Sequence, residues 1–308
     1  MGKPKSNDFT RFEGCFPHTV MTNDIIHYIY FKIQRMKKIF LQLFIVFSLI
    51  SNAQHSKTKS NYLPIGAKVA FIGNSLTMFN RGSDKVVQKL GDALKVPRKL
   101  IIDQSIQVYG LTLKDHWNEE NRGTIRNGKF NTVVIQEGGD WTYSQKPDNA
   151  KQFYQYAQMW ADTIRKSGAT PVLYMLWAWQ NDKGEDLEKM TNHQASQYDS
   201  AAKIIKARII PIGRGYYKLR NDSSEIAKSI NLFVDYQHPS ACGTYFIGCI
   251  AFAALYNISP IGNPYIGAGT EAEGRKRPTK EQALYMQKIA WETWKEFGSD
   301  DKGRGFTK

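Results

Sequence analysis

A short apolar run that ends abruptly in glycine constrains this chain more than any other feature. Residues 69–72 are apolar without interruption, and Gly73 follows them directly. Such a run, bounded by a turn residue, is typical of a parallel strand that is buried on both faces. The next side chains then emerge at the carboxyl end of the sheet, where open α/β folds bind their ligands. Ser75 is therefore a candidate nucleophile, and capping of the following helix is the structural alternative.

Further apolar runs alternate with helical patterns along the rest of the chain. We predict strands at residues 100–102, 132–135, 171–179 and 209–212, and helices at 84–94, 111–117, 148–167, 186–206 and 279–297. Strands that alternate with helices at this spacing favour a parallel sheet with helices on both faces. The predicted fold is therefore a three-layer α/β/α sandwich with a sheet of about five strands.

A second motif lies far downstream, at residues 235–240, and reads DYQHPS. A serine hydroxyl needs a base to accept its proton, and that base needs an acceptor that fixes its tautomer. Asp235 and His238 supply both parts, because residues three apart can lie on one side of a single turn. The carboxylate then faces one ring nitrogen and leaves the other free to face Ser75. The sequence thus predicts a Ser75–His238–Asp235 catalytic unit.

The GNSLT block at residues 73–77 and the DYQHPS block together resemble the GDSL-like, or SGNH, hydrolases. The resemblance spans about residues 66 to 260, and its most specific part is the D-x-x-H-P-S block followed by a helix. It implies a flavodoxin-like sandwich, a serine esterase mechanism, Ser75 as nucleophile and His238 and Asp235 as its partners. Asn74 stands where many members have aspartate, which leaves the nucleophile unchanged.

The resemblance also implies two further donors to the oxyanion. In the family's second block a glycine N–H serves this purpose, and Gly110 matches it, with a plain turn as the alternative. The third block is usually Gly-x-Asn-Asp, but residues 136–141 contain no asparagine. Asp140 takes the position given by aligning the glycines, yet an ionised carboxylate cannot donate. We therefore predict that the Gln136 amide donates, with bracing of the loop as its alternative role.

Two tryptophans, Trp177 and Trp179, lie at the tip of the predicted fourth strand. Aromatic side chains beside a ligand crevice can form a wall on which a sugar stacks. They can equally pack beneath the loop. Both readings stay open at this stage, and we assign the two residues to substrate binding.

The amino-terminal part of the chain carries an export signal. Residues 36–53 combine two lysines, a twelve-residue apolar stretch and small residues at a cleavage site after Ala53, as a secretory signal peptide does. We predict that translation starts at Met36 and that residues 1–35 are a spurious or extended amino terminus. A polar leader then covers residues 54–65, a single hydrolase domain covers 66–298, and residues 299–308 form a disordered tail. The exported protein is expected to be secreted or periplasmic, without stable membrane insertion once the signal is cleaved.

The charge and the cysteine content argue against a nucleic-acid-binding protein, a disulfide and a metal site. The chain has a formal net charge of +14, and the part after residue 53 keeps thirty-five basic and twenty-five acidic residues. These basic residues are scattered and no aromatic RNA-binding pattern accompanies them, so we predict no nucleic-acid partner. Cys242 and Cys249 are seven residues apart on one predicted helix, too far for a disulfide, and are expected to be core residues. No metal-ligand spacing is present.

The preferred interpretation is a secreted serine esterase that needs no metal or organic cofactor. Its predicted substrates are small acyl esters or acylated polysaccharides, with acetyl groups on carbohydrate as the leading case. A lipid esterase or thioesterase of the same fold is one alternative. A catalytically silent carbohydrate-binding module is the other, because the third block lacks its asparagine.

Overall fold

The computed structural model describes residues 27–28, 30–36, 63, 66–95, 101–269 and 275–298, with only the backbone at 103–105 and 141. The chain divides into two compact units, Met1–Ser60 and Asn61–Lys308. In the first unit, residues 27–28 and 30–36 are helical and exposed. The predicted signal peptide apart from Met36, the leader apart from Leu63, and the tail at 299–308 lie outside the described residues.

The second unit is built on one parallel sheet of five strands. These are β1 (Lys68–Gly73), β2 (Ile101–Gln107), β3 (Thr132–Ile135), β4 (Thr170–Tyr174) and β5 (Arg208–Ile210). Their spatial order is β2-β1-β3-β4-β5, and every pairing is parallel. This is the flavodoxin-like order, in which the chain leaves β1 toward one edge and returns on the other side at β3. The predicted fold class is confirmed.

The helices of this unit connect and flank the strands. They are α1 (Ser75–Met78), α2 (Ser83–Asp92), α3 (Glu119–Asn127), α4 (Gly139–Tyr143), α5 (Pro147–Lys166), α6 (Glu185–Ile205), α7 (Ile212–Asn221), α8 (Glu225–Lys228), α9 (Ala241–Tyr256) and α10 (Lys280–Phe297). Helices α2, α9 and α10 pack together, as do α3, α5 and α6. Right-handed crossovers in opposite directions along the sheet place such groups on opposite faces. The result is a sandwich of three layers.

The core lies along the central strands. From Val69 onward β1 is buried, and all of β3 is buried, as expected of parallel strands covered on both faces. Helix α9 is buried along its whole length, which explains its nearly continuous apolar sequence. Cys242 and Cys249 are free and buried on this helix, as predicted. Within the described residues, no helix is both long enough and apolar enough to cross a membrane.

Several element boundaries differ from the prediction. Strand β4 ends at Tyr174, five residues earlier than predicted, so the segment with the two tryptophans is a loop. Residues 111–117 form turns instead of a helix, and helix α3 follows them. Asp115 accepts hydrogen bonds from the N–H and the hydroxyl of Thr112, at 2.9 and 2.7 Å. Such local side-chain bonds compete with helix formation.

Candidate active site

The nucleophile turn, residues 73–77, follows β1 at the point where the strand order reverses. Asn74 caps α1, its Oδ1 accepting from the Leu76 N–H at 3.1 Å, so that Ser75 is the first helical residue. The Asn74 amide also donates to the Leu111 carbonyl at 2.9 Å. A carboxylate at this position cannot donate, so asparagine fixes the turn to the neighbouring loop in a way that aspartate does not.

Position 73 requires glycine because two neighbouring side chains lie very close to it, and not because its backbone angles are unusual. Its φ is not positive, but a Cβ built there would lie 2.6 Å from Thr77 Oγ1 and 2.8 Å from Gln136 Oε1. Even alanine therefore collides with the two side chains that support the turn. The sharp turn before Ser75 depends on the absence of a side chain at this position.

Gln136 lies beneath this turn and does not face the reacting position. It is 1% exposed, and its Oε1 accepts from the Asn74 N–H at 3.0 Å and the Thr77 hydroxyl at 2.6 Å. Its Nε2 donates to Asn74 Oδ1 at 3.1 Å and to the Glu137 carbonyl. Both amide hydrogens are thereby used. The prediction that Gln136 donates to the oxyanion is corrected: this residue braces the nucleophile loop.

Two buried titratable residues near the turn were not assigned from the sequence. His116 places Nε2 2.9 Å from the Gly73 carbonyl, and because a carbonyl only accepts, that nitrogen carries the proton. Burial lowers the pKa of His116, although the bond to Gly73 opposes the shift. The ring is therefore neutral at neutral pH and holds the last carbonyl of β1. No motif in the sequence indicated this role for His116.

Glu137 is the second such residue, at the tip of β3. Its Oε1 accepts from the N–H groups of Gly138 and Leu113, at 2.6 and 3.1 Å. Burial raises the pKa of Glu137 to about 7, an effect that these two hydrogen bonds only partly oppose. Its carboxyl ties the loop after β3 to the loop after β2. No motif in the sequence distinguishes it from an exposed loop glutamate.

The second motif forms a compact acid–base turn, residues 235–238. Asp235 Oδ1 accepts from the N–H groups of Gln237 and His238, at 2.9 and 2.7 Å. The Val234 N–H donates to the His238 carbonyl at 3.0 Å. Ser240 then caps α9 by accepting from the Gly243 N–H at 3.0 Å. Local hydrogen bonds therefore close the turn, and the Gln180 N–H adds an outside contact by donating to the Tyr236 carbonyl at 2.8 Å.

The two motifs meet in one hydrogen-bonded chain. His238 Nε2 lies 2.9 Å from Ser75 Oγ, and His238 Nδ1 lies 2.7 Å from Asp235 Oδ2. Partial burial pushes the pKa of Asp235 upward, but the bonds from the His238 and Gln237 N–H groups and from the imidazole outweigh it and lower that pKa. An ionised Asp235 fixes the tautomer in which Nε2 is free to accept the Ser75 proton. The structure thus brings all three predicted residues together.

Gly110 lies in the loop beside the nucleophile turn. The Val108 N–H donates to the Gly73 carbonyl at 3.2 Å, and the Leu111 carbonyl accepts from Asn74, so Gly110 sits between two contacts to that turn. Its φ of +73° is a conformation that favours glycine. In the described part of the chain, neither its N–H nor that of Ser75 has an intramolecular acceptor.

The two tryptophans take different places. Trp177 is 1% exposed, stacks on Tyr216 with ring centroids 4.8 Å apart, and donates from its indole nitrogen to the Gln237 carbonyl at 3.2 Å. Its assignment to substrate binding is corrected, since it supports the acid–base turn from below. Trp179 is partly exposed and stacks on Tyr143 at 3.8 Å, with Tyr236 edge-on at 5.2 Å.

Among the described residues, no group of histidine, cysteine and carboxylate side chains is arranged to hold a metal ion. Asp140 is exposed on the first turn of α4. The arrangement around Ser75 is therefore one of a nucleophile, a base and an orienting carboxylate.

The chain is similar in fold to solved structures. A DUF4886 family protein from Bacteroides uniformis matches with a TM-score of 0.58 and 19% identity over 74% of this chain and 94% of that one. A protein from Slackia heliotrinireducens, provisionally described as an SGNH hydrolase, gives a TM-score of 0.47 and 18% identity over 61% of this chain and 97% of that one. A variant of Axe2, an acetyl-xylooligosaccharide esterase from Geobacillus, gives a TM-score of 0.48 and 16% identity over 62% of this chain and 94% of that one.

No family model and no curated protein matches the chain. At 19% identity, the similarity to the Bacteroides uniformis protein establishes the fold alone. That fold agrees with the three-layer sandwich implied by the two sequence motifs.

Proposed function

We propose that this protein is a serine esterase that removes short acyl groups, of the acetyl type, from carbohydrate. One observation carries the proposal: Ser75 Oγ, the His238 ring and Asp235 form a continuous hydrogen-bonded chain with distances of 2.9 and 2.7 Å. The contact between Ser75 and His238 joins residues 163 positions apart in sequence, and the two contacts orient each group as acyl transfer requires.

The geometry supports a two-step reaction. Ser75 Oγ attacks the ester carbonyl while His238 Nε2 accepts its proton, and the resulting imidazolium is stabilised by Asp235. Collapse of the tetrahedral intermediate breaks the bond to the alcohol, which leaves with the proton from His238. Water then attacks the acyl-enzyme by the same route and releases the carboxylic acid. We assign the oxyanion to the N–H groups of Ser75 and Gly110.

Export and a carbohydrate substrate belong to the same proposal. The succession of a basic, an apolar and a small-residue region along residues 36–53 supports secretion. Near the acid–base turn, Trp179, Tyr143 and Tyr236 form an aromatic cluster, and Tyr236 is 46% exposed. An exposed aromatic face of this kind suits the apolar face of a sugar ring.

The direct test combines turnover with labelling. Purified protein is assayed with p-nitrophenyl esters of increasing acyl length, and a fluorophosphonate probe is used to label the nucleophile for mass spectrometry. We expect the highest kcat/KM with acetate and a single adduct on Ser75, absent from Ser75→Ala. Failure to hydrolyse any ester, or hydrolysis undiminished in Ser75→Ala, contradicts the proposal. Intact mass of the exported species tests whether the mature chain begins near Gln54.

A further inference from the structure

A groove beside the catalytic histidine is not used by the mechanism above. Two cavities of about 310 and 490 Å³ share the lining residues Asn80, Arg81, Ala241 and Ala268, so they adjoin. The first is also lined by Phe79, whose ring stacks on His238 with centroids 4.7 Å apart. The groove therefore starts at the ring that covers the catalytic base.

Among the described residues that line this groove, every charged side chain is a cation. Arg81 and Arg275 line the first cavity, and Lys85 and Lys89 line the second together with Arg81. No acidic residue is among the described residues that line either cavity. None of the four cations has a carboxylate partner within the described part of the chain. Cations that line one groove without a carboxylate partner among the described residues favour an anionic ligand.

The backbone that presents Arg81 is strained. Asn80 and Arg81 have φ values of 51° and 72°, a left-handed conformation that is unfavourable for non-glycine residues. The Asn80 amide holds this turn in place by donating to the Pro239 carbonyl at 2.5 Å. Because Pro239 follows His238 directly, the strained turn and the catalytic base are fixed to each other.

The remaining lining favours a sugar over an acyl chain. Tyr109, which is 61% exposed, and Tyr265 add aromatic surface, and Asn80 and Thr244 add polar groups. An acyl chain buried against four cations would leave their charges desolvated without compensation. A carbohydrate can stack on the aromatic rings while its anionic substituents pair with the guanidinium groups, whose planar forks match such oxyanions.

We propose that this groove is a subsite for an acidic carbohydrate, so that the esters hydrolysed at Ser75 are carried by sugars bearing carboxylate or sulfate groups. This inference rests on the proposed esterase function for its catalytic consequence. Binding of the acidic sugar itself requires no turnover, and the two can therefore be tested separately.

The binding test uses the full-length Ser75→Ala protein and isothermal titration calorimetry. The probes are an oligogalacturonate, a sulfated oligosaccharide, a neutral xylo-oligosaccharide and an oligonucleotide of matched charge. We expect at least one of the two acidic sugars to bind about 10-fold or more tighter than the neutral one, and to weaken as salt is added. Comparison of the first two probes distinguishes carboxylate from sulfate recognition.

Matched variants locate the site. Arg81→Gln combined with Arg275→Gln is expected to weaken acidic-sugar binding about 10-fold or more. Lys166→Gln combined with Lys203→Gln changes the net charge by the same amount, at exposed positions on α5 and α6. This control pair is expected to change the affinity for the acidic sugar less than about 2-fold. Thermal unfolding checks that each variant is folded. Equal weakening by both pairs, or equal binding of acidic and neutral sugars, overturns the proposal, as does an oligonucleotide that binds as tightly.

The kinetic test compares acetylated polygalacturonate with acetylated xylan. We expect the ratio of their kcat/KM values to favour the acidic polymer and to fall about 10-fold in the arginine pair variant. Hydrolysis of neutral esters without acidic-sugar binding rejects the subsite and leaves the esterase intact. Binding of acidic sugar by a protein that hydrolyses no ester rejects the esterase and leaves the subsite intact.

Discussion

The two turns that form the active site are held in opposite ways. The nucleophile turn depends on buried side chains that arrive from elsewhere, chiefly Gln136 at the tip of β3 and His116 from the loop after β2. The acid–base turn is closed by hydrogen bonds among its own residues, and Asp235 is 42% exposed. The nucleophile turn is therefore held mainly by the surrounding fold. The acid–base turn is held mainly by its local sequence, with the Trp177 indole and the Gln180 N–H as outside donors.

This difference predicts how each turn responds to change. Substitutions of the buried polar side chains beneath the nucleophile turn should reduce both the free energy of unfolding and kcat, because these side chains also belong to the core. Damage within the acid–base turn should reduce rate while the fold persists. The contact between Ser75 and His238 is where the two regions meet, and cutting it should have the largest effect.

The first prediction breaks that contact. Ser75→Ala and His238→Ala should each lower kcat by about 10³-fold or more, because neither attack nor proton transfer can proceed without its partner. The double variant should be little worse than either single one, since the residues act as a unit. Steady-state kinetics on p-nitrophenyl acetate measures this, with circular dichroism as the control for folding. Independent, additive losses would show that the two residues do not share one mechanism.

The second prediction tests the locality of the acid–base turn. Asp235→Asn keeps an oxygen that can accept from the Gln237 and His238 N–H groups, but it presents an amide N–H to the imidazole. The wrong tautomer is then favoured, and kcat should fall by about 10⁴-fold. The midpoint of thermal unfolding should change little. A large loss of stability would mean that the turn depends on the charge of Asp235 and not on its local hydrogen bonds.

The third prediction removes the main support of the nucleophile turn. Gln136→Ala leaves Asn74, Thr77 and the Glu137 carbonyl without their partners, and it should lower the free energy of unfolding by about 3 to 4 kcal/mol. Urea unfolding measures the loss.

A background variant separates bracing from catalysis. The loss of stability in Gln136→Ala should be the same when Ser75 is already alanine, because bracing does not require the chemistry. If stability were unchanged and kcat fell about 10² to 10³-fold at constant KM, Gln136 would instead donate to the oxyanion.

The same contrast explains what the sequence could and could not predict. Asp235 and His238 are three residues apart, so their geometry follows from the D-x-x-H pattern itself. Gln136 acts on residues about sixty positions away, through the parallel register that pairs Ile72 with Ile135. No local pattern encodes that register, and the amide was therefore assigned to the wrong task. The sequence of strands and helices was predictable because parallel strands are short, apolar and regularly spaced.

The incorrect assignment of Trp177 to substrate binding has one cause, the predicted carboxyl end of β4. The apolar residues after Tyr174 continue the pattern of β4, so the sequence predicts a strand that extends to Trp179. In the structure the chain leaves the sheet at Tyr174, and Trp177 turns into the core beneath the acid–base turn. Apolar periodicity cannot distinguish a strand from a buried loop of the same composition.

The fourth prediction concerns the charge state of Glu137. Its pKa is raised from 4.5 to about 7 by burial, so the folded state retains a proton that the unfolded state loses above pH 4.5. This contribution to stability is complete below about pH 4.5 and is lost as the pH rises to about 7, by up to about 3 kcal/mol. Glu137→Gln carries no titratable group and should show a flatter profile of unfolding free energy across this range.

Chemical denaturation at several pH values measures that profile, with Glu119→Gln as a matched control on exposed helix α3. The control should keep the wild-type slope between pH 5 and about 7, because the exposed carboxyl is ionised throughout that range in both states. Wild type and Glu137→Gln with parallel profiles would contradict a protonated Glu137 beneath the turn.

The last prediction is the smallest, and it tests whether the nucleophile turn has any functional contact with the exposed side of the β3 loop. A direct alignment of the loop glycines places the third oxyanion donor at Asp140, but this side chain is exposed on α4 and an ionised carboxylate cannot donate. Asp140→Ala should therefore change kcat less than about 3-fold and unfolding free energy by less than about 0.5 kcal/mol. Steady-state kinetics and urea unfolding, run beside Gln136→Ala, decide the comparison. Should Asp140→Ala lower turnover more than Gln136→Ala does in a folded protein, the buried network would not be what holds Ser75 in place.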